Sequence, residues 1–481
     1  MKDLIHTALN AMDIGGAEYG DIRIVEANTE DIATKDGIVE ALVSSETLGF
    51  GIRLIKNGAW GFAASYEMTK SAIQKTVKKA FQIAEASSIA QKEKVVLSKE
   101  KVIKATYKTP VKEDPFYVPL SQKIEMLLAA EEAMRVSPLI KISQTNFRAL
   151  KEKKTFASLE GAFITQELVE TGCGLEVTAI STDDAQNRTY PNSHGGQNIT
   201  GGFELISELN LEENAKKIGE EACQLLTADQ CPSGMFDLIL DNNQLALQVH
   251  ESCGHAVEFD RVLGMEASFA GTSFLSPDML GKFQYGSDKV TITADATAKR
   301  GLGTFGFDDE GVPAQRVYIV RNGVLQNFLT SRETAHTLGQ KSNGTVRADG
   351  WDKLPLIRMT NINLEPGDWT LEKLIADTKY GIFMSSNKSW SIDDRRLNFQ
   401  FGCEIAWEIK NGKITRVLRN PTYTGMTPVF WNSCDAVCDK NHWVIFGVPN
   451  CGKGEPVQTS HVGHGTSPAR FRGVQIGVGK W

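Results

Sequence analysis

The sequence predicts an α+β protein, with an N-terminal α/β domain built on an antiparallel sheet and a C-terminal, mostly β, barrel-like domain. Helical and strand-like segments alternate in the first half, whereas the second half is mainly short strands joined by glycine-rich turns. A chain of 481 residues favours two domains, at roughly 100–200 residues for each. The run Cys231-Pro232-Ser233-Gly234 marks a break in the pattern. We therefore predict domains over residues 1–228 and 229–481.

Alternation of helices and hairpins characterises the predicted N-terminal domain. Alternating polar and apolar residues predict strands at 21–26 and 51–55. Asp36-Gly37 and Asn57-Gly58 lie between β-rich runs and predict hairpin turns. The remaining predicted elements are helices over 3–13, 68–90, 121–135 and 211–226, strands over 140–180, and an exposed, Lys-rich loop or edge region over 92–118.

Short strands dominate the predicted C-terminal domain. A strand at 236–240 leads directly into a helix that begins near Asn243. Asn322-Gly323 and Asn411-Gly412 predict hairpins over 317–329 and 404–418, because this dipeptide suits the tight turn between two antiparallel strands. Many short strands with such turns are typical of a barrel or sandwich.

Composition excludes several classes of protein. The formal net charge of −7 and the pI near 5.8 argue against broad electrostatic binding of nucleic acid, which usually leaves a basic footprint. The first residues form no long apolar run, so we expect no secretory signal, and no stretch approaches the roughly 20 apolar residues of a membrane span. Eight irregularly spaced cysteines favour a reducing cytoplasm over a disulfide framework.

The most informative motif is His250-Glu251-Ser252-Cys253-Gly254-His255. It is the His-Glu-x-x-His pattern of zinc peptidases with one additional residue, and in that pattern two imidazoles bind the metal while the carboxylate activates water. On a regular helix, at about 100° per residue, the two histidines would lie roughly 140° apart. Both reach one ion only if the helix is under-wound, bulged or ending. Gly254 is a plausible position for this distortion, since glycine tolerates unusual backbone angles.

A catalytic zinc site needs a third protein ligand, and the residues alone leave several alternatives. Cys253 is better explained as a packing thiol, and Glu258 can either bind the metal or orient a ligand histidine. Cys451 lies in a glycine-flanked turn that would hold an exposed thiol in place. The full set of candidates is Cys253, Glu258, Glu266, Cys451, His461 and His464. Cys434, Cys438 and His442 also have metal-like spacing, but they lie in an apolar context without a second pair, and we interpret them as structural.

A resemblance to a known family rests on several motifs together. The run from Asn242 to Asp260, centred on His-Glu-Ser-Cys-Gly-His-Ala-Val-Glu-Phe-Asp, resembles the TldD/PmbA family of metallopeptidases. Further runs that match the family's motifs are Gly-Phe-Gly-Ile-Arg-Leu at 49–54, Phe-Asp-Asp-Glu-Gly-Val-Pro at 307–313, Pro-Leu-Ile-Arg-Met-Thr-Asn at 355–361 and Cys-Gly-Lys-Gly at 451–454. The resemblance therefore covers essentially the whole chain, in order.

The resemblance implies a zinc-dependent peptidase of the TldD type, because the partner type, TldE or PmbA, lacks the metal motif. It implies that His250, His255 and Cys451 bind Zn²⁺ and that Glu251 is the catalytic carboxylate. It also implies short or unfolded peptides as substrates, and a homodimer or a heterodimer with a motif-less TldE/PmbA paralogue.

The chain departs from the familiar family pattern near its end. His461 and His464 stand where the familiar sequences are mostly apolar or glycine, which leaves the substrate preference open. With Glu258, these two histidines are candidates for orienting a ligand or contacting substrate. The alternative for the two histidines is a surface glycine-rich loop with no role in the site.

Two other functions compete with the peptidase. One is a regulatory or binding protein of the gyrase-modulator type, which the acidic composition and the intact metal motif do not favour. The other is a zinc hydrolase of a non-peptide amide, which the sequence cannot distinguish from a peptidase. For the peptidase we expect no membrane association and no direct binding of nucleic acid.

Overall fold

Long antiparallel strands form the first half of the chain in a computed structural model that describes residues 1–477. Residues 478–481, the end of the predicted C-terminal domain, lie outside the described residues. The strands of this half are β1 (Tyr19–Lys35), β2 (Ile38–Lys56), β3 (Ala59–Ser65), β4 (Lys104–Lys108), β5 (Ile140–Ser158), β6 (Phe163–Ile180), β7 (Ala185–Tyr190) and β8 (Gln197–Thr200). They form one sheet with the order β3-β2-β1-β5-β6-β4, in which β7 and β8 also pair with β6.

Helices cover this sheet and bury its apolar side chains. They are α1 (Lys2–Ile14), α2 (Lys70–Ala90), α3 (Leu120–Met134), α4 (Glu204–Glu208) and α5 (Leu211–Leu225), and the four longer ones agree with the predicted helices. Two clusters of buried apolar residues lie between the helices and the sheet, one around Ile52 and Ile73 and the other around Leu127 and Phe147. The Lys-rich region is an edge, as expected, because β4 is the last strand in the order.

The second half of the chain is mostly β, as the sequence predicts. Its strands are β9 (Asp229–Gln230), β10 (Gly234–Leu240), β11 (Ile292–Asp295), β12 (Arg316–Arg321), β13 (Val324–Leu325), β14 (Val346–Arg347), β15 (Leu356–Ile357), β16 (Ile362–Leu364), β17 (Tyr380–Ile392), β18 (Asn398–Lys410), β19 (Lys413–Arg419), β20 (Thr422–Met426), β21 (Cys434–Val437), β22 (Val444–Lys453), β23 (Gln458–Thr466) and β24 (Ala469–Ile476). Its helices are α6 (Asn242–Val249), α7 (Phe259–Val262), α8 (Arg332–Thr337), α9 (Leu371–Ala376) and α10 (Thr427–Asn432).

Five strands of the second half close into a barrel. The pairing runs β17-β10-β24-β20-β18 and returns from β18 to β17. Phe401, Tyr423 and Phe471 of these strands pack in the same core as Leu245 and Val249 of α6. Every residue of α6 is buried, so this helix is held on all sides by the β structure. The predicted barrel-like fold is confirmed.

The predicted hairpins form at the Asp-Gly and Asn-Gly pairs. Asn57 and Gly58 have φ angles of 54° and 76°, which are the left-handed angles that a type I′ turn requires. The pairs 36–37, 322–323 and 411–412 have positive φ angles in the same way. Each turn therefore sets the register of the strands on either side.

Buried ion pairs connect the N-terminal sheet to the second half of the chain. Arg53 of β2 contacts Asp21 at 2.8 Å and Glu310 at 3.1 Å, and Lys154 of β5 contacts Asp309 at 2.9 Å. All five side chains are 10% exposed or less, so the pairs are largely shielded from water. They fix the sheet against the segment that follows β11. Within residues 1–477, no helix is both long and apolar enough to cross a bilayer.

Candidate metal centre

A π-helical turn brings the two motif histidines together. Helix α6 continues into this turn, over His250–Gly254, where the N–H of His255 donates to the carbonyl of His250 at 3.1 Å. This i to i+5 hydrogen bond is the hallmark of a π turn, which places residues five apart above one another. The two imidazole rings lie 4.8 Å apart, centroid to centroid. The expectation of a locally under-wound helix is therefore confirmed, and the additional residue of the motif is what the π turn accommodates.

Gly254 lies in this turn for a reason other than the one expected. Its φ angle is outside the left-handed region, so the backbone there does not require glycine. A Cβ at this position would instead lie 2.0 Å from Sδ of Met359. The glycine therefore provides space for close packing under the turn, and the sequence-based explanation from backbone angles is wrong.

Cys451 reaches the histidines from strand β22. A bulge interrupts the pairing of β22 with β23 between Val448 and Cys451, and Sγ of Cys451 lies 3.6 Å from Nε2 of His255. Ligand atoms of His250, His255 and Cys451 all lie within 4.8 Å of one another, and all three residues are buried. No other group of three such side chains in residues 1–477 is close enough to hold a metal ion.

Glu258 orients His255. Nδ1 of His255 donates to Oε2 of Glu258 at 2.9 Å, so Nε2 keeps its lone pair and faces Cys451. Lys453 is fully buried beside this carboxylate, with Nζ 3.4 Å from Glu258 and 2.8 Å from both carboxylate oxygens of Asp260. Burial alone would raise the pKa of Glu258, but Lys453 and His255 outweigh it and hold that pKa well below its usual value. The carboxylate is therefore anionic and accepts from the ligand imidazole.

Removal of the Lys453 charge should destabilise the protein. In Lys453→Met, two buried carboxylates lose their cation, and we expect the free energy of unfolding to fall by about 3–5 kcal/mol. Urea denaturation of the metal-free protein measures this without a contribution from metal binding. The control is Lys413→Met, at an exposed lysine, which should change the free energy by less than about 0.5 kcal/mol. Equal stability of the two variants would contradict the interpretation of Lys453.

A second chain of hydrogen bonds orients His250. The carbonyl of Ile362 can only accept, so Nδ1 of His464, 3.2 Å away, is the donor. Burial and the neighbouring His250 lower the pKa of His464 well below its usual value, so its ring is neutral and Nε2 is an acceptor. Nδ1 of His250, at 2.8 Å, therefore donates to Nε2 of His464. This arrangement leaves Nε2 of His250 free to bind a metal ion.

Loss of His464 should therefore weaken metal binding. We expect His464→Phe to lower metal affinity about 10–100-fold, because it removes the acceptor that fixes the His250 tautomer. Competition with a chelating dye measures the affinity. His461→Phe, on the same strand, is the matched comparison and should keep the affinity, since His461 pairs with Glu170 at 2.5 Å outside this cavity. Equal affinities of both variants would show that His464 does not orient His250.

The donor set fits a metal ion. Burial lowers the pKa of His255 and keeps its imidazole neutral, against the attraction of Cys451 and Glu258. Burial raises the pKa of the Cys451 thiol, and the positive charge of Arg358 lowers it. Two imidazole nitrogens with free lone pairs and one cysteine sulfur therefore converge, which is a set that soft and borderline divalent metals prefer.

Glu251 lies beside the three candidate ligands in a cavity of about 390 Å³. Its Oε2 accepts from Nη1 of Arg396 at 2.6 Å. The other walls include His194, from the segment between β7 and β8, and Trp390 of β17, whose rings are 5.6 Å apart. Burial, with a smaller contribution from His250, lowers the pKa of His194 to about 4. No sequence pattern marks Arg396, His194 or Trp390, because all three lie outside the motif and reach the cavity through tertiary packing.

The remaining candidates are not members of the ligand cluster. Cys253 is a packing thiol, and burial raises its pKa to about 12. Glu266, His461, Cys434, Cys438 and His442 are not members of the cluster in the described part of the chain. His442 instead accepts a hydrogen bond from the backbone N–H of Leu371 at 3.4 Å, which agrees with a structural role.

Family models match most of the chain. The model described as the PmbA/TldA metallopeptidase C-terminal domain matches residues 233–477, which is more than half of the sequence and includes every candidate ligand. Models for domain 1 and the central domain of the same family match residues 20–84 and 113–229. The chain belongs to the PmbA/TldD family of metallopeptidases.

Relatives in this family are metalloproteases by name. A metalloprotease of Methanocaldococcus jannaschii is 33% identical over 85% of this chain and 87% of its own length. A metalloprotease of Methanothermobacter thermautotrophicus is 30% identical over 96% of this chain and 95% of its own length. A zinc metalloprotease, a TldD homologue of Saccharolobus solfataricus, is 24% identical over 93% and 94%. These family members support a peptidase or hydrolase that uses a metal ion.

Two solved structures share the fold of this chain. TldE from Thermococcus kodakarensis has a TM-score of 0.77 at 15% identity, with 99% of this chain and 100% of that chain covered. A Thermotoga maritima protein described as a modulator of DNA gyrase has a TM-score of 0.78 at 18% identity, with the same coverage. At these identities the likeness concerns the fold alone.

Proposed function

We propose that this chain is a zinc-dependent peptidase that hydrolyses short or unfolded peptides, with Glu251 as the proton acceptor for the attacking water. One observation carries the proposal: two imidazole nitrogens, one cysteine sulfur and the Glu251 carboxylate meet in a single cavity. The thiolate favours Zn²⁺ over hard ions such as Mg²⁺. The name of the Saccharolobus relative, a zinc metalloprotease, also supports zinc.

The residues of the cavity have distinct tasks in this proposal. His250, His255 and Cys451 would hold the ion, which would supply Lewis acidity for the attacking water and the substrate carbonyl. Glu251 takes a proton from the water while the water oxygen bonds to the peptide carbonyl carbon. Glu251 then gives the proton to the leaving nitrogen as the C–N bond breaks. His464 and Glu258 keep the two ligand imidazoles in the required tautomers.

The shape of the cavity supports an extended peptide as substrate. Its volume of about 390 Å³ admits a few residues but no folded domain. Trp390 and Ile392 line it from β17, and β10 pairs with β17 only as far as Met384. Within residues 1–477, the edge of β17 beside the cavity therefore has no partner strand. A peptide can add to this edge as a strand, through its backbone and with little dependence on sequence.

An unstructured peptide library tests the proposal. The metal-loaded protein is incubated with the library, with and without a chelator, and the products are identified by mass spectrometry. We expect cleavage that stops with the chelator and returns when Zn²⁺ is added. Absence of cleavage, or cleavage that the chelator leaves unchanged, would contradict a metal-dependent peptidase. A parallel set of non-peptide amides tests the rival hydrolase.

We also propose a dimer, formed with a second copy or with a motif-less paralogue. Residues 38–48 of β2 are exposed, and β3 pairs with β2 only from Phe50 onwards. Ile38 and Val43 on this edge are 69% and 52% exposed. Long exposed apolar edges are usually covered by a partner. Light scattering of the purified chain, alone and mixed with such a paralogue, distinguishes the two assemblies.

A cytoplasmic location belongs to the same proposal. All eight cysteines are unpaired in the structure, and the thiolate of Cys451 must stay reduced to bind metal. A reducing compartment provides that condition. Loss of zinc and formation of a Cys451 oxidation product under mild oxidants would agree with this requirement.

A further inference from the structure

Arg396 occupies a strained backbone position at the cavity. It lies in the loop between β17 and β18 with a φ angle of 62°, in the left-handed region where glycine or asparagine is usual. The loop is well held, because Asp393 accepts from the N–H groups of Leu397 and Asn398 at 2.8 and 3.0 Å. A long side chain kept in such a conformation points to a function for that side chain.

Most of the hydrogen-bonding capacity of Arg396 is unused. Nη1 donates to Glu251 at 2.6 Å, while Nε is buried without a partner and Nη2 donates to no protein group within residues 1–477. The side chain is 16% exposed and lines the cavity beside the candidate ligands. A guanidinium with free donors that faces the cavity is suited to bind an anionic oxygen.

The position of this charge has an energetic consequence. The guanidinium of Arg396 lines the same cavity as the candidate ligands and keeps free donors beside Glu251. A peptide carbonyl that is attacked in this cavity develops negative charge on its oxygen, and Arg396 has free donors for that charge. Preorganised donors at a developing oxyanion stabilise such a charge.

We propose that Arg396 is a catalytic residue that binds Glu251 in the resting state and donates to the oxyanion of the tetrahedral intermediate. The proposal rests on the peptidase function. In the step, the water oxygen bonds to the carbonyl carbon, the π electron pair moves to the carbonyl oxygen, and the water proton moves to Glu251. Arg396 thus exchanges one anionic partner for another. When the C=O bond re-forms and the C–N bond breaks, the proton moves to the leaving nitrogen and Glu251 is again the partner.

The test compares R396A and R396K with R395A. Arg395 is the adjacent loop residue, is exposed and lies outside the cavity lining, so it is a matched control. R396G is a second variant that should fold even if R396A does not, since glycine adopts this φ angle without strain. The measurements are zinc content, kcat and KM for a peptide, and the Kd of a phosphinic peptide, whose tetrahedral anion mimics the oxyanion.

We expect R396A and R396G to keep one zinc ion and a nearly unchanged KM while kcat falls about 10²–10³-fold. Their Kd for the phosphinic peptide should rise by a similar factor. R396K should retain part of the activity, methylguanidinium should restore part of the kcat of R396G, and urea should not. R395A should match the wild type in every measurement.

Three results would overturn the proposal. An unchanged kcat in R396A would show that Arg396 is not needed. A reduced kcat with unchanged affinity for the phosphinic peptide would show that Arg396 only positions Glu251. If the wild type itself shows no chelator-sensitive cleavage, both the peptidase function and this proposal are wrong. If the wild type cleaves peptides and only the results for R396A differ from those expected, the peptidase function stands and the role of Arg396 is wrong.

Discussion

Glu251→Gln should keep the metal ion and lose peptide hydrolysis by about 10²–10⁴-fold, which is the range that positioned proton transfer contributes. Glutamine has the shape of glutamate, and its carbonyl oxygen can still accept from Arg396 at the position of Oε2. The amide cannot take a proton from water at neutral pH, so only the chemical step is removed. Steady-state kinetics on a peptide, together with metal content from elemental analysis, measures the two effects separately.

A second glutamate controls for the change of charge in Glu251→Gln. Glu212 is exposed in the first turn of α5, and Glu212→Gln should match the wild type in metal content and in kcat. Undiminished cleavage by Glu251→Gln with a full complement of zinc would remove Glu251 from the mechanism. Loss of zinc from this variant would show instead that Glu251 contributes to metal binding.

Cys451→Ser should lose the metal ion before it loses its fold. A neutral hydroxyl replaces the thiolate, and the third donor of the set is then a poor ligand for Zn²⁺. We expect the affinity for zinc to fall by more than the roughly 10–100-fold that loss of an outer hydrogen-bond partner causes. Elemental analysis after dialysis against a weak chelator measures the loss, and circular dichroism monitors the fold.

Cys223→Ser is the control for Cys451→Ser. Cys223 lies half-buried on α5, far from the cluster in sequence and outside the cavity lining. It should retain zinc at the wild-type level. Tight zinc binding in Cys451→Ser would mean that the third ligand is another residue.

The fold was largely predictable because its signals are local. Turn dipeptides such as Asn57-Gly58 and Asn411-Gly412 require positive φ angles that few other residues adopt, so they mark hairpins wherever they lie. The helical spacing of apolar residues likewise identifies α2 and α3 from short segments of the sequence. Closure of the barrel was less certain from sequence, because β24 pairs with β10 across more than two hundred residues.

The candidate site was predictable only in part, for the same physical reason. The motif around His250 and His255 is contiguous, and its spacing alone required an under-wound helix. Cys451 came from resemblance to a family, since nothing in its own neighbourhood indicates which residues it faces. Arg396 and His194 reach the cavity through tertiary packing of a hairpin loop and of the segment between β7 and β8, and no local pattern marks either.

The role of His464 shows how burial decides between two interpretations. The sequence left open whether His461 and His464 belong to a surface loop or to the site. Both lie on β23, three residues apart, and so they point to opposite faces of the strand. His464 points inward to His250, whereas His461 pairs with Glu170. Once β23 is known to be a strand, the alternation of its side chains between two faces assigns His464 to the site and His461 to the other face.

X-ray absorption at the zinc edge tests the central claim most directly. If His250, His255 and Cys451 hold one ion, the spectrum of the zinc-loaded wild type should show one sulfur at about 2.3 Å and two imidazole nitrogens at about 2.0–2.1 Å, with one further light atom. Any zinc that Cys451→Ser still binds should show no sulfur neighbour. A wild-type spectrum without sulfur, or one with two or more sulfur atoms, would contradict this metal centre.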